Sequence, residues 1–406
     1  MTLPLPLSAL VNNSLVSIPG SKSLSNRLLI LGKLYGGFTV ENLSDAEDTQ
    51  LLSQALTTHS DFVDIHHAGT AMRFLTAYFA VQNGRQVILT GSDRMKQRPV
   101  KPLVNALQNL GAEISYLEQE GFPPLKIIGK KLEGGRVRID AGISSQFVSA
   151  LLLIAPALQD GLQIELNGEP TSRPYLEMTL SLLKQIGASV RFEGNKIEIE
   201  NGIESKTDNF LVEGDWSSAS YFYSLAAVGR GNLRLKNLKK NSLQGDSSLV
   251  DIYRQFFGVE SNFIGEELQL TPMKDFTFPD GVQLDMNACP DIAQTVAVTA
   301  AALPLHFEIT GLHTLKIKET DRLQALQSEL EKFGCETEIT ENSIRSLSYG
   351  MPEENIEVAT YNDHRMAMAF APFALKHPFQ IEDPNVVAKS YPLFWEHFFN
   401  CTKSIR

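Results

Sequence analysis

Four short segments carry lysine and arginine side chains of interest in a chain that is acidic as a whole. Basic residues number 36 and acidic residues 47, a formal net charge of −11. Each segment stands just before a predicted helix. An arginine fork suits bidentate binding of carboxylate and phosphate groups, so the set predicts a ligand that carries several negative charges. The segments are 93–99, 316–322, 363–365 and 389–392.

Small and hydroxyl residues open several of the predicted helices. A helix N-terminus presents unpaired N–H groups and a partial positive charge, and small side chains let a phosphate or carboxylate approach those groups. Any single serine there could be an ordinary N-cap, but the set, with basic residues nearby, predicts an anion site. The openings are Lys22-Ser23, Gly69-Thr70, Ser144-Ser145 and Ser217-Ser218.

The elements that position these residues recur along the chain. Helix openings marked by Thr70, Ser145, Ser218, Asp291 and His364 follow one another at intervals of about 73 to 75 residues. A second marker, a glycine that ends a helix before a β-type run, recurs at similar intervals. A residue just past a helix favours glycine because it adopts positive φ readily. These glycines are Gly111, Gly187, Gly258 and Gly334.

Two helices and four strands fit into each interval, so the sequence predicts six βαβαββ repeats of an α/β protein. Only about 47 residues separate Ser23 from Thr70. The first repeat is therefore predicted to be shortened, with its second helix over 48–56 and most of its closing strand pair lost.

Composition excludes several classes of protein. The acidic balance argues against a nucleic-acid partner, and the longest apolar run, near 147–158, is too short to span a bilayer. The N-terminus lacks the basic start of a secretory signal. Cys289, Cys335 and Cys401 form no CxxC pair, so neither a disulfide framework nor a metal site is expected. We expect a reduced, soluble, cytoplasmic protein.

Nine stretches resemble the 5-enolpyruvylshikimate-3-phosphate synthase family of enolpyruvyl transferases. Any one of them would be weak, but together they are specific. They are distributed along the chain from residue 19 to residue 368, and Lys389 adds a further match. The stretches are 19–27, 68–73, 94–99, 144–147, 172–175, 213–221, 290–291, 318–322 and 361–368.

The resemblance implies a two-domain inside-out α/β barrel with three repeats in each domain. Residues 19–213 would form one domain, including the shortened repeat. Residues 1–18 and 214–406 would form the other, which joins both termini. The family's cleft lies between its two domains and closes on substrate, which excludes water.

The resemblance also implies an activity. The enolpyruvyl group of phosphoenolpyruvate would be added to the 5-hydroxyl of shikimate 3-phosphate, with release of phosphate, in the shikimate pathway to chorismate and the aromatic amino acids. The partners would be these two small substrates, with no nucleic acid and no membrane, and the protein would be a monomer. No metal or organic cofactor is implied. Glyphosate would compete with phosphoenolpyruvate.

Individual roles follow from the same resemblance. Asp291 would accept the proton of the attacking hydroxyl, Lys318 would contact that hydroxyl, and Glu319 would donate a proton to the methylene carbon. Lys22 would contact both substrates. Shikimate 3-phosphate would be bound by Lys22, Ser23, Arg27, Ser144, Ser145, Gln146, Ser172 and Thr314, and phosphoenolpyruvate by Gly69, Arg98, Arg322, Arg365 and Lys389.

Three positions depart from the family pattern. His67 and Thr314 stand where asparagine is usual, and Phe74 where proline is common. Two rival functions stay open. Transferases that act on a UDP-linked amino sugar carry a reactive cysteine in the segment equivalent to 91–99, which has none here. A non-catalytic phosphate-binding relative would have lost Asp291, Lys318 or Glu319, and this chain keeps all three.

Overall fold

A computed structural model describes residues 1–140, 142, 144–168, 171–204 and 207–405. The chain divides into two compact units, one formed by Met1–Gly20 with Glu213–Arg406 and the other by Ser21–Val212. The α-helices of the described residues are α1 (Lys22–Tyr35), α2 (Glu47–Thr57), α3 (Gly69–Ala80), α4 (Asp93–Lys96), α5 (Lys101–Asn109), α6 (Ser145–Ile154), α7 (Arg173–Gln185), α8 (Trp216–Gly229), α9 (Leu249–Phe257), α10 (Ala293–Ala302), α11 (Arg322–Lys332), α12 (His364–Phe370) and α13 (Phe394–Cys401).

Short 3₁₀ turns stand beside several of these helices and carry some of the residues of interest. They are Ala155–Ala157, Gly245–Ser248, Pro290–Ile292, His313–Ile317, Ala371–Leu375 and Pro384–Lys389. The strands are β1 (Thr2–Leu5), β2 (Ser8–Leu10), β3 (Ser14–Ser17), β4 (Thr39–Glu41), β5 (Phe62–Asp64), β6 (Gln86–Thr90), β7 (Glu113–Tyr116), β8 (Leu125–Ile128), β9 (Gly135–Asp140), β10 (Leu162–Asn167), β11 (Val190–Glu193), β12 (Lys196–Ile199), β13 (Asn209–Leu211), β14 (Leu233–Lys236), β15 (Val259–Ile264), β16 (Glu267–Pro272), β17 (Gly281–Asp285), β18 (His306–Thr310), β19 (Cys335–Ile339), β20 (Ile344–Tyr349), β21 (Glu357–Val358), β22 (Phe379–Glu382) and β23 (Thr402–Ser404).

One sheet plan recurs and confirms the predicted repeat. A strand, a helix and a second strand follow one another, and the two strands pair in parallel. A second helix then leads into a hairpin, one strand of which pairs antiparallel with the second strand of the repeat. Parallel neighbours require such a crossover. The four complete sheets have the orders β5-β6-β8-β7, β11-β12-β10-β9, β15-β16-β14-β3 and β17-β18-β20-β19.

The first repeat is shortened, as the spacing predicted. Its sheet consists of β4 and β13 alone, paired in parallel. Its second helix, α2, covers the predicted 48–56 with one further residue at each end. The chain then enters β5 of the next repeat at Phe62, so the described residues between Thr57 and Phe62 leave no room for a closing hairpin.

Two strands are exchanged where the chain passes from one unit to the other. Strand β3 leads into α1 but pairs with β14, which follows α8. Strand β13 leads into α8 but pairs with β4, which follows α1. At both crossings, therefore, a strand and the helix that follows it belong to different units. Strand β3 lies in the unit with both termini while α1 lies in the other unit, and β13 and α8 show the reverse.

Helices lie inside each unit and sheets outside. Helices α3, α6, α8, α10 and α12 are buried on nearly every side, which is why they are apolar around most of their circumference. Strands such as β9 alternate exposed and buried residues, as expected for a sheet with one face to solvent. Each unit has its own apolar core, and the inside-out α/β architecture is confirmed. In the described part of the chain, no helix has the length and apolarity needed to cross a membrane.

Candidate catalytic and anion-binding residues

Charged residues of the unit that contains both termini meet at the starts of helices. Asp291 lies in the turn Pro290–Ile292 before α10, and Arg322 is the first residue of α11. Helices α8, α11 and α12 all pack against α10, which brings these starts together. We call the resulting set the charged cluster: Asp291, Lys318, Glu319, Arg322, Asp363, Arg365 and Lys389.

Three cationic side chains surround the carboxylate of Asp291. Arg365 Nη2 lies 3.1 Å from Oδ2, while Arg322 Nη1 and Lys318 Nζ lie 3.5 and 3.6 Å from Oδ1. The Asp291 side chain is 19% exposed. It is therefore a carboxylate held in a fixed direction, with part of its surface still open to a reactant.

Arg322 is the buried hub of this cluster. Its guanidinium donates to Asp363 at 2.6 and 3.3 Å and to Glu319 at 2.8 Å, and its side chain is 2% exposed. Burial lowers the pKa of Arg322, but the Asp363 and Glu319 carboxylates raise it, and the net pKa is above the ordinary value. Arg322 thus stays charged and fixes the carboxylates around it.

Glu319 is held by two cations from different elements. Arg322 binds one of its oxygens, and Lys389 Nζ lies 3.2 Å from the other. Lys389 ends the turn Pro384–Lys389 and is buried. The structure thus brings together six of the seven residues that the sequence predicted for this unit, namely 291, 318, 319, 322, 365 and 389.

Asp363 and Asp246 belong to the same network but were missed by the sequence prediction. Asp363 caps α12 by accepting the Arg365 N–H at 2.9 Å, and it also binds Arg322. An aspartate just before a helix is an N-cap signal that could have identified it. Asp246 had no such local signal, because its partners come from distant segments.

Asp246 is a buried carboxyl that contacts Arg365 through a serine. The Ser217 hydroxyl donates to Asp246 Oδ2 and accepts from Arg365 Nη2 at 3.5 Å. Burial, followed by the nearby Asp291 charge, raises the pKa of Asp246 to about 7, against the smaller lowering effects of Ser217 and Arg365. Asp246 therefore changes charge near neutral pH, unlike an ordinary aspartate.

The three positions that depart from the family pattern differ in their surroundings. Thr314 lies in the turn His313–Ile317 with a buried hydroxyl that finds no hydrogen-bond partner among the described residues. His67 Nε2 lies 3.7 Å from Glu47 at the start of α2. The ring of Phe74 packs against the guanidinium of Arg27, 5.4 Å away.

In the other unit, Lys22 is the first residue of α1 and forms an ion pair with Asp48. The distance from Lys22 Nζ to Asp48 Oδ2 is 3.1 Å. Asp48 lies in the first turn of α2 and is buried, whereas Lys22 is 16% exposed. The pair fixes the ammonium group at the start of α1, with part of its surface left for an anion. Ser23 follows Lys22 and is partly buried.

Arg27 lies deeper and joins three helices. Its Nε donates to Thr179 at 2.7 Å, and its Nη2 donates to Ser149 at 3.2 Å and to the Tyr175 carbonyl at 3.1 Å. Its Nη1 donates to the Ser23 carbonyl at 2.9 Å. The side chain is 2% exposed, and burial lowers the pKa of Arg27 to about 10. Arg27 therefore holds α1, α6 and α7 together, with little surface for a ligand.

Gly69 opens α3 directly beneath the guanidinium of Arg98. The N-cap residue, Ala68, makes no side-chain cap hydrogen bond, so the first N–H groups of α3 are not capped by its side chain. Arg73, one turn into α3, donates to the Gly69 and Pro99 carbonyls at 3.1 and 3.0 Å. That link fixes the segment that carries Arg98 against the helix start.

The starts of α6 and α7 carry the remaining predicted residues. Ser144 caps α6 by accepting the Gln146 N–H at 3.3 Å, and the Gln146 amide donates to Thr70 on α3 at 3.3 Å. Ser145 is partly buried beside them. Ser172 precedes α7 with a left-handed φ of 56° and makes no side-chain cap hydrogen bond. Packing among α1, α3, α6 and α7 gathers these starts in one unit. We call residues 22, 23, 69, 98, 144–146 and 172 the polar cluster of this unit.

Comparison with known proteins identifies relatives of this chain. Residues 53–398 match a family model described as EPSP synthase (3-phosphoshikimate 1-carboxyvinyltransferase). A 3-phosphoshikimate 1-carboxyvinyltransferase of Bacteroides fragilis (strain YCH46) is 44% identical over 385 residues, which cover 94% of this chain and 93% of that protein. One of Mannheimia haemolytica is 38% identical over 417 residues, with 94% of each chain covered.

The fold is likewise that of solved structures. An EPSP synthase from Acinetobacter baumannii superposes with a TM-score of 0.79 over 100% of this chain and 99% of its own, at 23% identity. A second structure of that enzyme gives a TM-score of 0.78 at 22% identity. At these identities the structural likeness concerns the architecture alone.

Proposed function

The chain belongs to the EPSP synthase (3-phosphoshikimate 1-carboxyvinyltransferase) family, and we propose that its two clusters carry out that family's reaction. In this reaction the enolpyruvyl group of phosphoenolpyruvate passes to the 5-hydroxyl of shikimate 3-phosphate, and phosphate is released. The reaction belongs to the shikimate pathway, which leads to chorismate and the aromatic amino acids.

The observation that supports this function most is the arrangement around Asp291. A partly exposed carboxylate lies within 3.1 to 3.6 Å of three cationic groups, and a second carboxylate, Glu319, shares Arg322 with it. Addition followed by elimination needs a base and an acid near the same reacting atoms. Two carboxyl groups in one cationic surrounding, with Glu319 protonated and Asp291 ionised, would provide both.

Addition begins when the methylene carbon of phosphoenolpyruvate takes a proton and becomes a methyl group. We assign that proton to Glu319, which enters this step in its protonated form. The adjacent carbon becomes electrophilic, and the 5-hydroxyl oxygen forms a bond to it as Asp291 takes the hydroxyl proton. Lys318, which lies 3.6 Å from Asp291, would contact the same hydroxyl.

Elimination restores both side chains. The methyl group of the tetrahedral ketal returns a proton to Glu319, the carbon–carbon double bond forms again, and the bond to the phosphate oxygen breaks as that oxygen takes the proton from Asp291. Each proton taken in the addition step has an acceptor in the elimination step, so the enzyme returns to its starting state. No electron is gained or lost, and we propose that the reaction needs no redox or organic cofactor.

The cationic residues would bind the anionic groups of the substrates. For phosphoenolpyruvate we assign Arg365, Lys389 and Arg98, with Arg322 holding the carboxylates in place and Gly69 leaving space beside Arg98. Fixed charges aimed at developing charge provide the largest expected contribution to catalysis, and they orient the reactants as well.

Hydroxyl and amide groups at helix starts would bind shikimate 3-phosphate. A phosphate oxygen can accept from backbone N–H groups there and from serine hydroxyls. Arg27 would contribute chiefly by holding the helices that carry these groups. The assigned residues are Lys22, Ser23, Ser144, Ser145, Gln146, Ser172 and Thr314.

A coupled assay of phosphate release tests the function. The chain with phosphoenolpyruvate and shikimate 3-phosphate should release one phosphate for each enol ether formed, and a UDP-linked amino sugar in place of shikimate 3-phosphate should give none. Phosphate release with the UDP-linked amino sugar and phosphoenolpyruvate, but not with shikimate 3-phosphate and phosphoenolpyruvate, would favour the sister reaction. Binding of shikimate 3-phosphate without phosphate release would favour a non-catalytic relative. The cytoplasmic location and monomeric state stay predictions.

A further inference from the structure

Glu329 is a fully buried carboxylate with no part in the proposed transfer. It lies on α11, about two turns after Arg322. Its Oε1 accepts from the Tyr361 hydroxyl at 2.7 Å, and its Oε2 accepts from the Ala359 N–H at 3.1 Å. Both oxygens therefore bind the segment that leads to Asp363 and Arg365.

That segment has an unusual backbone. Tyr361 and Asn362 have φ values of 53° and 54°, in the left-handed region. Asparagine visits this region more readily than most residues, but a bulky tyrosine there is uncommon. Two such residues in succession persist only where the surrounding structure holds them.

Helix α11 holds this turn from both sides. Near the beginning of α11, Arg322 binds Asp363 at 2.6 Å, and two turns later Glu329 binds Tyr361. Asp363 then accepts the Arg365 N–H and caps α12. Residues 361–363 are thus fixed to one rigid helix at each end of the turn.

Lys332 keeps the buried carboxylate in place. Its Nζ lies 2.7 Å from Glu329 Oε2 and donates to the Glu357 carbonyl, also at 2.7 Å. A buried charge requires a partner and further hydrogen bonds, and here the partner also contacts β21. Glu329 therefore has a fixed direction from which to hold Tyr361.

We propose that Glu329, acting through the Tyr361 hydroxyl, is a positioning residue that fixes the 361–363 turn and thereby aims Arg365 at Asp291. Arg365 Nη2 lies 3.1 Å from Asp291 Oδ2, so a shift of the turn moves a group assigned to phosphoenolpyruvate binding. This inference rests on the proposed function.

The test uses Tyr361→Phe, which removes one hydroxyl from a side chain that is 37% exposed. The matched control is Tyr349→Phe, which loses a hydroxyl bound to the Leu305 carbonyl at 2.5 Å in the same unit but away from the turn. We expect Tyr361→Phe to raise KM for phosphoenolpyruvate roughly fivefold or more and to lower kcat, because a misplaced charge binds and orients the substrate poorly. KM for shikimate 3-phosphate should stay within about twofold, and melting temperatures should match the control.

A double variant separates positioning from simple stabilisation. Glu329→Leu combined with Tyr361→Phe should cost about the same as Glu329→Leu alone, because leucine cannot accept from the Tyr361 hydroxyl and so already removes that contact. Equal kinetics for Tyr361→Phe and Tyr349→Phe, or losses that multiply in the double variant, would overturn the proposal. A wild-type chain that releases no phosphate would overturn the proposed function and this inference with it.

Discussion

Gly69 and Arg98 are matched in space. A β-carbon added at Gly69 would lie 2.6 Å from Arg98 Nη1 and 2.9 Å from Arg98 Cζ and Nη2. The arginine is buried, so its guanidinium could not move aside without leaving the start of α3. Glycine is therefore needed at this position because the Arg98 guanidinium lies so close, and not because of the backbone φ angle.

Gly69→Ala should displace Arg98 and weaken anion binding without unfolding the protein. We expect KM for phosphoenolpyruvate to rise about tenfold, the loss of roughly one charge-assisted hydrogen bond, and competitive inhibition by glyphosate to weaken. Steady-state kinetics would measure both. The control is Gly32→Ala on α1, where the added carbon would meet only Phe38 at 3.5 Å. Unchanged kinetic constants in Gly69→Ala would refute this account of the pair.

Asp291→Asn should abolish most turnover while substrates still bind. Asparagine keeps the shape but cannot take the hydroxyl proton, so we expect kcat to fall about 10²- to 10⁴-fold. Phosphate release measures kcat, and equilibrium binding of shikimate 3-phosphate reports the intact site. Asp285→Asn serves as a control, since Asp285 is exposed and accepts a hydrogen bond from the Asn287 N–H. A kcat close to wild type would remove Asp291 from the role of base.

Asp246 should make stability depend on pH in an unusual direction. Its pKa is raised from 3.8 to about 7 in the folded state, so the folded protein binds a proton that the unfolded chain has lost. Stability should therefore fall as the pH rises from about 4 to about 7, by at most about 1.4 kcal/mol per pH unit. Above pH 7 this contribution should level off.

Urea unfolding of wild type and Asp246→Asn across that pH range isolates the effect. The free energy of unfolding of wild type minus that of Asp246→Asn should fall as the pH rises from about 4 to about 7. In Ser217→Ala this fall should extend to higher pH, because the Ser217 hydroxyl lowers the pKa of Asp246. A flat difference, or one of opposite slope, would show that Asp246 does not hold the extra proton.

Arg27→Lys should destabilise the unit that contains it. Lysine cannot reproduce a fork that binds Thr179, Ser149 and the Tyr175 carbonyl together. We expect the free energy of unfolding to fall by about 3 kcal/mol, since buried polar partners are left unpaired. Arg191→Lys is the matched control, because Arg191 is 69% exposed and its ion pairs should contribute little. Equal denaturation midpoints would contradict the crosslinking role.

Much of the fold could be predicted because each repeat carries its own local signals. All four glycines taken as helix ends have positive φ, from 64° at Gly258 to 97° at Gly187. The shortened first repeat was visible as a short interval. The strand exchange of β3 and β13 was not visible in the periodicity, because it concerns which sheet a strand joins, and no local pattern specifies that.

The charged residues at helix starts could be predicted for the same reason, since a helix start has a recognisable sequence. The buried acids Asp246 and Glu329 could not. Asp246 and Glu329 acquire their roles from Ser217 and Tyr361, which lie far away in the chain. Nor does sequence spacing distinguish an arginine that is open to a ligand from one that, like Arg27, donates its hydrogen bonds to neighbouring helices.

Deuterium incorporation tests the central claim, acid–base addition followed by elimination, most directly. The chain would convert phosphoenolpyruvate and shikimate 3-phosphate in D₂O, and mass spectrometry would follow the methylene group of the product. Because the methylene carbon passes through a methyl group that receives a solvent proton, the account predicts deuterium in the product's methylene. A product formed at the normal rate with no deuterium in that methylene would contradict it.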